Sequence, residues 1–149
     1  MTQSEALMTQ EAALPEIAAE DALRADLYDF LAAILARPPG EALLAQTAAL
    51  SGDATRLGEA VTALARVAGV SKPAAVEREF NALFIGLGRG ELLPYASYYL
   101  TGFLNEKPLA GLRRDMAARG ITRAQNVYEP EDNIASLMEM MAGMIRGRF

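Results

Sequence analysis

The sequence contains no cysteine, no histidine and no tryptophan. Without cysteine there can be no disulfide, no thiolate nucleophile and no thiolate-held metal. Without histidine the commonest general base and transition-metal ligand are missing, which leaves carboxylates, tyrosine, lysine and arginine for any chemistry. β-Branched residues are sparse, and no segment alternates apolar and polar positions over a strand length, so no sheet is expected. Asp, Arg, Gly or Pro interrupts every apolar stretch before the roughly 20 residues a bilayer requires, so no stable membrane insertion is expected. An excess of positive charge is also lacking. The net charge is -5 and the arginines are scattered among acids, which argues against nucleic acid and suits a basic peptide.

What is present is helical in character. Hydrophobic residues make up 52% of the chain, enough for one domain with its own core, and alanine and leucine dominate them. Residues 1–20 mix acids with alanines and do not read as a signal peptide. We expect a flexible N-terminus over 1–20, an all-helical single domain over 21–149 and a cytoplasmic protein.

The spacing of Leu23, Leu27, Phe30, Leu31, Ile34 and Leu35 predicts a core helix that Pro38 and Pro39 must end. Leu43, Leu44 and Thr47 predict a short helix ending near Ser51 and Gly52. Leu57, Val61, Leu64 and Ala68 outline a third, closed by Gly69. Ser71 as N-cap and Pro73 in the first turn open a fourth, with Val76, Phe80, Leu83 and Phe84 as its stripe and Gly86 as its stop. A glycine-rich connection, Gly86 to Pro94, leads to the aromatic group Tyr95, Tyr98, Tyr99 and Phe103 on a short helix. Pro108 opens a helix with Leu109, Leu112 and Met116 inward, Arg113, Arg114 and Arg119 facing water, and Gly120 as C-terminal cap. Pro130 opens the last helix, with Glu131 and Asp132 in its first turn and Ile134, Leu137, Met138, Met141 and Ile145 on its apolar face.

Three features invite a functional reading. The glycines at 86, 88 and 90 resemble an anion-binding loop, but no strand precedes them and no Gly-Lys-Ser/Thr follows, so an interhelical loop competes with a nucleotide site. Glu129, Glu131 and Asp132 would serve as acid and base, as ligands of a hard cation, as ordinary helix-start acids, or as charge offered to a basic partner. The aromatic residues from Phe80 to Phe103 and the methionines at 138, 140, 141 and 144 suit either a core or a pliable binding surface.

Read in order, Glu79-Phe80-Asn81-Ala82-Leu83-Phe84, Gly86-Leu87-Gly88, Pro94-Tyr95-Ala96-Ser97-Tyr98-Tyr99-Leu100, Lys107-Pro108-Leu109, Leu112-Arg113 and Glu129-Pro130-Glu131-Asp132-Asn133 resemble the TorD/DmsD family of molybdoenzyme maturation chaperones. The resemblance is specific from Val76 to Met141. Before that, only Arg24, Leu27, Tyr28 and Leu31 are similar to the family's first helix.

The resemblance implies an all-α helical bundle without catalytic activity, metal or cofactor of its own. Its partner would be the precursor of a molybdenum-containing oxidoreductase, bound through a twin-arginine leader while the molybdenum cofactor is inserted. The partner-binding residues it implies are Tyr28, Phe80, Leu83, Phe84, Pro94, Tyr95, Tyr99, Glu129, Asp132 and Asn133. An arginine pair followed by an apolar stretch needs carboxylates beside an aromatic or methionine-lined groove, which fits that set.

Two departures stand out. Asn133 occupies a position where the family usually has histidine, and the family's further C-terminal helices have no counterpart in this sequence. The second implies a shortened chain or, if the chain is whole, an exposed face of Ile134, Leu137, Met141 and Ile145. That face would favour a homodimer formed by exchange of helices. A nucleotide-binding switch or small enzyme built on residues 86–90 with Glu129, Glu131 and Asp132 is the rival reading, and a helical adaptor indifferent to leaders is a third.

Overall fold

The computed structural model describes residues 17–149, so most of the expected flexible segment 1–20 lies outside the described residues. Among them are seven α-helices and no strand: α1 Ala19–Ala36, α2 Glu41–Ala48, α3 Arg56–Val70, α4 Pro73–Phe80, α5 Ala96–Thr101, α6 Lys107–Ala118 and α7 Ile134–Ile145. A π-helical turn, Asn81–Ile85, continues α4. The all-helical expectation holds.

The first and last helices form the central pair, α1 against α7, while α2 packs on α3 and α5 on α6. Small residues let α1 and α7 approach: Ala25 and Ala142 are both 0% exposed, while Gly143 is buried beneath the Phe149 ring. Arg146 at the end of α7 pairs with Asp26 and Asp29 of α1, fixing the register of two helices more than a hundred residues apart in sequence. Pro38 and Pro39 follow α1 directly, as expected.

The structure corrects the expected boundaries and faces in several places. Leu23 is 70% exposed, because the face of α1 that meets α7 is centred on Ala25 and not on the leucine stripe. α2 ends at Ala48, short of Ser51. α3 runs through Gly69 to Val70, held at its start by Thr55, whose hydroxyl accepts from Gly58 N at 3.1 Å. Ser71 therefore closes α3, donating its hydroxyl to Val67 O at 2.8 Å, and is not the N-cap of α4; Lys72 stands there, with Pro73 following in the first turn.

The last helix starts at Ile134, not Pro130. Asn133 is its N-cap and accepts from Ala135 N at 2.9 Å, while Pro130 O accepts from Asn133 N at 3.1 Å to close a turn. Glu131 and Asp132 thus precede the helix, and both take other partners.

The candidate binding cleft and its walls

The segment before α5 and the segment before α7 are stitched together. Ala96 N donates to Asp132 O at 3.0 Å and Ile134 N to Pro94 O at 2.8 Å, so Tyr95 and Asn133 face each other as an isolated antiparallel bridge. Asp132 completes the stitch. Its Oδ2 accepts from Ser97 N at 2.8 Å, capping α5, and the side chain is buried. Glu131 accepts from Arg113 Nε at 2.9 Å and lies 2.8 Å from Arg113 Nη2, so Arg113 is tied to the stitch and not merely directed at water. That guanidinium holds the Glu131 carboxyl below the usual glutamate value.

The glycine-rich connection folds back on the π turn. Gly86 takes φ +63°, its N–H donates to Asn81 O at 2.7 Å, and Leu92 N donates to Leu83 O at 2.7 Å. Gly90 is buried so tightly that a Cβ there would lie 2.5 Å from Leu83 O. Close backbone approach accounts for these two glycines without a phosphate. Arg89 then reaches α5, donating to the Tyr98 hydroxyl at 2.8 Å and lying 5.3 Å from its ring centroid.

Between α1, the α4–π segment, the stitch and α7 lies a cleft of about 520 Å³. Phe80 and Phe84, with ring centroids 4.8 Å apart, line one side with Pro94 and Tyr95. Ala32, Ala33 and Ala36 of α1 and Ala135 and Ser136 of α7 line the others. Three carboxylates border it, Asp29, Glu129 and Glu139, and no lysine or arginine does. Asp29 is matched by Arg146 and, at 3.4 Å, Arg148. Glu129 accepts a short hydrogen bond from the Tyr95 hydroxyl. Burial, then the neighbouring Glu129, pushes the Tyr95 phenol up to about 12. Glu139 makes no ion pair among the described residues.

Of the residues proposed from the sequence, Phe80, Phe84, Pro94, Tyr95, Glu129 and Asn133 line this cleft. Tyr99 and Asp132 border an adjoining pocket of about 290 Å³, which Phe84, Pro94 and Tyr95 also wall. Tyr28 and Leu83 line neither; Leu83 contributes through its carbonyl, which anchors the glycine connection. Sequence reasoning missed Asp29, the α1 alanines, Ser136 and Glu139. The available signal was the lone acid Glu139 among the methionines of α7, one turn from Ser136.

The sequence profile of the family described as nitrate reductase delta subunit matches residues 51–149, which is most of the chain. The chain belongs to the TorD/DmsD family. Chaperone protein TorD of Vibrio cholerae serotype O1 is 40% identical over 65 residues, 43% of this chain and 30% of that protein. TorD of Vibrio parahaemolyticus serotype O3:K6 is 35% identical over 69 residues, 45% of this chain and 32% of that protein. The matched stretch therefore spans about a third of those chaperones' length. Among solved structures, a protein assigned to redox enzyme maturation in Archaeoglobus fulgidus shares the fold, with a TM-score of 0.59 over 80% of this chain and 70% of its own, at 21% identity. Among the described residues, no helix is long and apolar enough to cross a membrane, and no group of three or more acids is placed to hold a metal ion.

Proposed function

We propose that this chain acts as a cytoplasmic, non-catalytic chaperone for a molybdenum-containing oxidoreductase, binding the precursor through an arginine-bearing N-terminal leader and keeping it from export or assembly until the cofactor is in place. The observation that carries this reading is the charge of the cleft, where Glu129 and Glu139, in no ion pair among the described residues, and Asp29, held by Arg146, stand against aromatic and alanine walls. Such a lining favours a peptide that brings guanidinium groups together with apolar residues. Family membership supports the same reading, and so does the net charge of -5. Self-association belongs to the proposal too, supported by the exposed Met141 and Met144 beside a groove of about 410 Å³ between α6 and α7.

The test is fluorescence anisotropy with a labelled peptide carrying an arginine pair followed by an apolar run. Glu129→Gln and Glu139→Gln should each weaken binding by roughly threefold to tenfold at low salt, with a shallower salt dependence than the parent protein. Unchanged affinity in the double variant would remove the cleft acids from recognition. Sedimentation of the purified protein at increasing concentration tests the self-association.

A further inference from the structure

The groove of about 410 Å³ between α6 and α7 is framed by two matching stripes. Leu112, Asp115, Met116 and Arg119 recur at i, i+3, i+4 and i+7 along α6, which puts them on one face of that helix. Leu137, Met140, Met141 and Met144 repeat the same spacing along α7. Met141 and Met144 are 37% and 41% exposed, so an apolar face shared by two helices stands open to water. Its rim carries two charges one turn apart, and neither is in an ion pair among the described residues. The Arg119 guanidinium donates to the Asp115 backbone oxygen at 2.9 Å, which leaves the Asp115 carboxylate without a cation and Arg119 without an anion.

This rim is complementary to itself. A two-fold axis sets α6 of one copy antiparallel to α6 of another, with the same flank of each helix against its mate. With the axis midway between residues 115 and 119, Asp115 of each copy meets Arg119 of the other, and the pair forms twice. We propose that this face docks a second copy of the chain, intact protomer against intact protomer, so that two α6–α7 layers close into a four-helix interface bordered by the reciprocal pairs. Four of the seven methionines line the groove, and their unbranched side chains adapt to an identical face, so Met141 and Met144 of one copy fill the groove of the other. The groove shares no lining residue with the acidic cleft, so both clefts stay open in the pair. This inference rests on the self-association proposed above and assigns it a surface and a symmetry, in place of an exchange of helices.

The experiment is sedimentation velocity on the full chain over a range of concentrations, with the charge-reversal variants Asp115→Arg and Arg119→Glu. The parent should dimerise. Each variant alone sets like charges against each other at both reciprocal positions and should dimerise about tenfold more weakly, with the difference shrinking at high salt. An equimolar mixture of the two variants should recover the parent's affinity within the time of mixing, because every pair across the mixed dimer is again of opposite sign. Met141→Glu, at an exposed site, should abolish the dimer while circular dichroism shows the protomer's helices intact. A chain that stays monomeric at every concentration overturns this interface and the proposed self-association together. A dimer as tight in the single variants as in the parent overturns the interface and spares self-association. So does a mixture that recovers nothing, or one that recovers only after the protomers have been unfolded and refolded together, as an exchange of helices would require.

Discussion

Tyr95 concentrates several roles in one side chain. It walls both cavities, pairs across to Asn133 and donates to Glu129. The folded protein holds its phenolic proton more tightly than the unfolded chain, where the group titrates near 10.0, so stability falls as pH rises from there towards about 12. Ultraviolet titration should show a tyrosine step near pH 12, and Tyr95→Phe should remove that step. A titration that Tyr95→Phe leaves unchanged near pH 12 would contradict the burial of this hydroxyl. Glu131 behaves with the opposite sign. Arg113 depresses its pKa from 4.5, so its contribution is present above that value and is lost as the solution is acidified through the folded value. At Asp132 a single substitution removes the side chain that caps α5 at Ser97 N. Asp132→Ala should lower stability by about 1–2 kcal/mol, read as a fall of roughly 2–8 °C in the melting temperature.

At the level of elements, the glycine-rich connection separates two explanations of the same residues. A phosphate loop would need its glycines for ligand approach, whereas here Gly90 is required because Leu83 O and the Phe84 carbonyl carbon lie 2.5 Å from where a Cβ would be. Gly88 has open space around it and asks only for a positive φ of 94°. Gly90→Ala should therefore cost about 2–3 kcal/mol through displacement of the π turn, and Gly88→Ala only about 1 kcal/mol of backbone strain. Chemical denaturation of both variants checks the order. Equal losses would mean that the connection does not pack against the Asn81–Ile85 turn. That turn is itself what the helical periodicity could not announce: the stripe Val76, Phe80, Leu83, Phe84 reads as one α-helix, and the extra residue per turn is set by the backbone partners Asn81 O and Leu83 O.

Across the whole molecule, the cleft exists because the two ends of the described chain meet. The family profile begins at residue 51, yet α1 provides Asp29 and the alanine wall of the cleft. The tie is Arg146, whose side chain is largely covered and engages Asp26 and Asp29. Arg146→Met should reduce stability by about 1 kcal/mol, roughly 2–4 °C in melting temperature, with the difference narrowing at high salt.

The sequence by itself determined the helical class, most helix stops and the family. Proline residues and apolar spacing act locally, so Pro38, Pro39, Pro73, Gly86 and Pro108 mark boundaries whatever packs around them. It also named six of the residues that line the cleft, because those residues carry the family pattern. Tertiary structure decided the rest. Acids before a helix read as first-turn residues until the Tyr95–Asn133 bridge sends Glu131 to Arg113 and Asp132 to Ser97. Which face of α1 is buried was decided by close approach at Ala25 and Ala142, where small side chains admit a neighbouring helix that leucines would hold away. Partners of that kind lie 18 to 120 residues apart in the sequence, and no local preference encodes them.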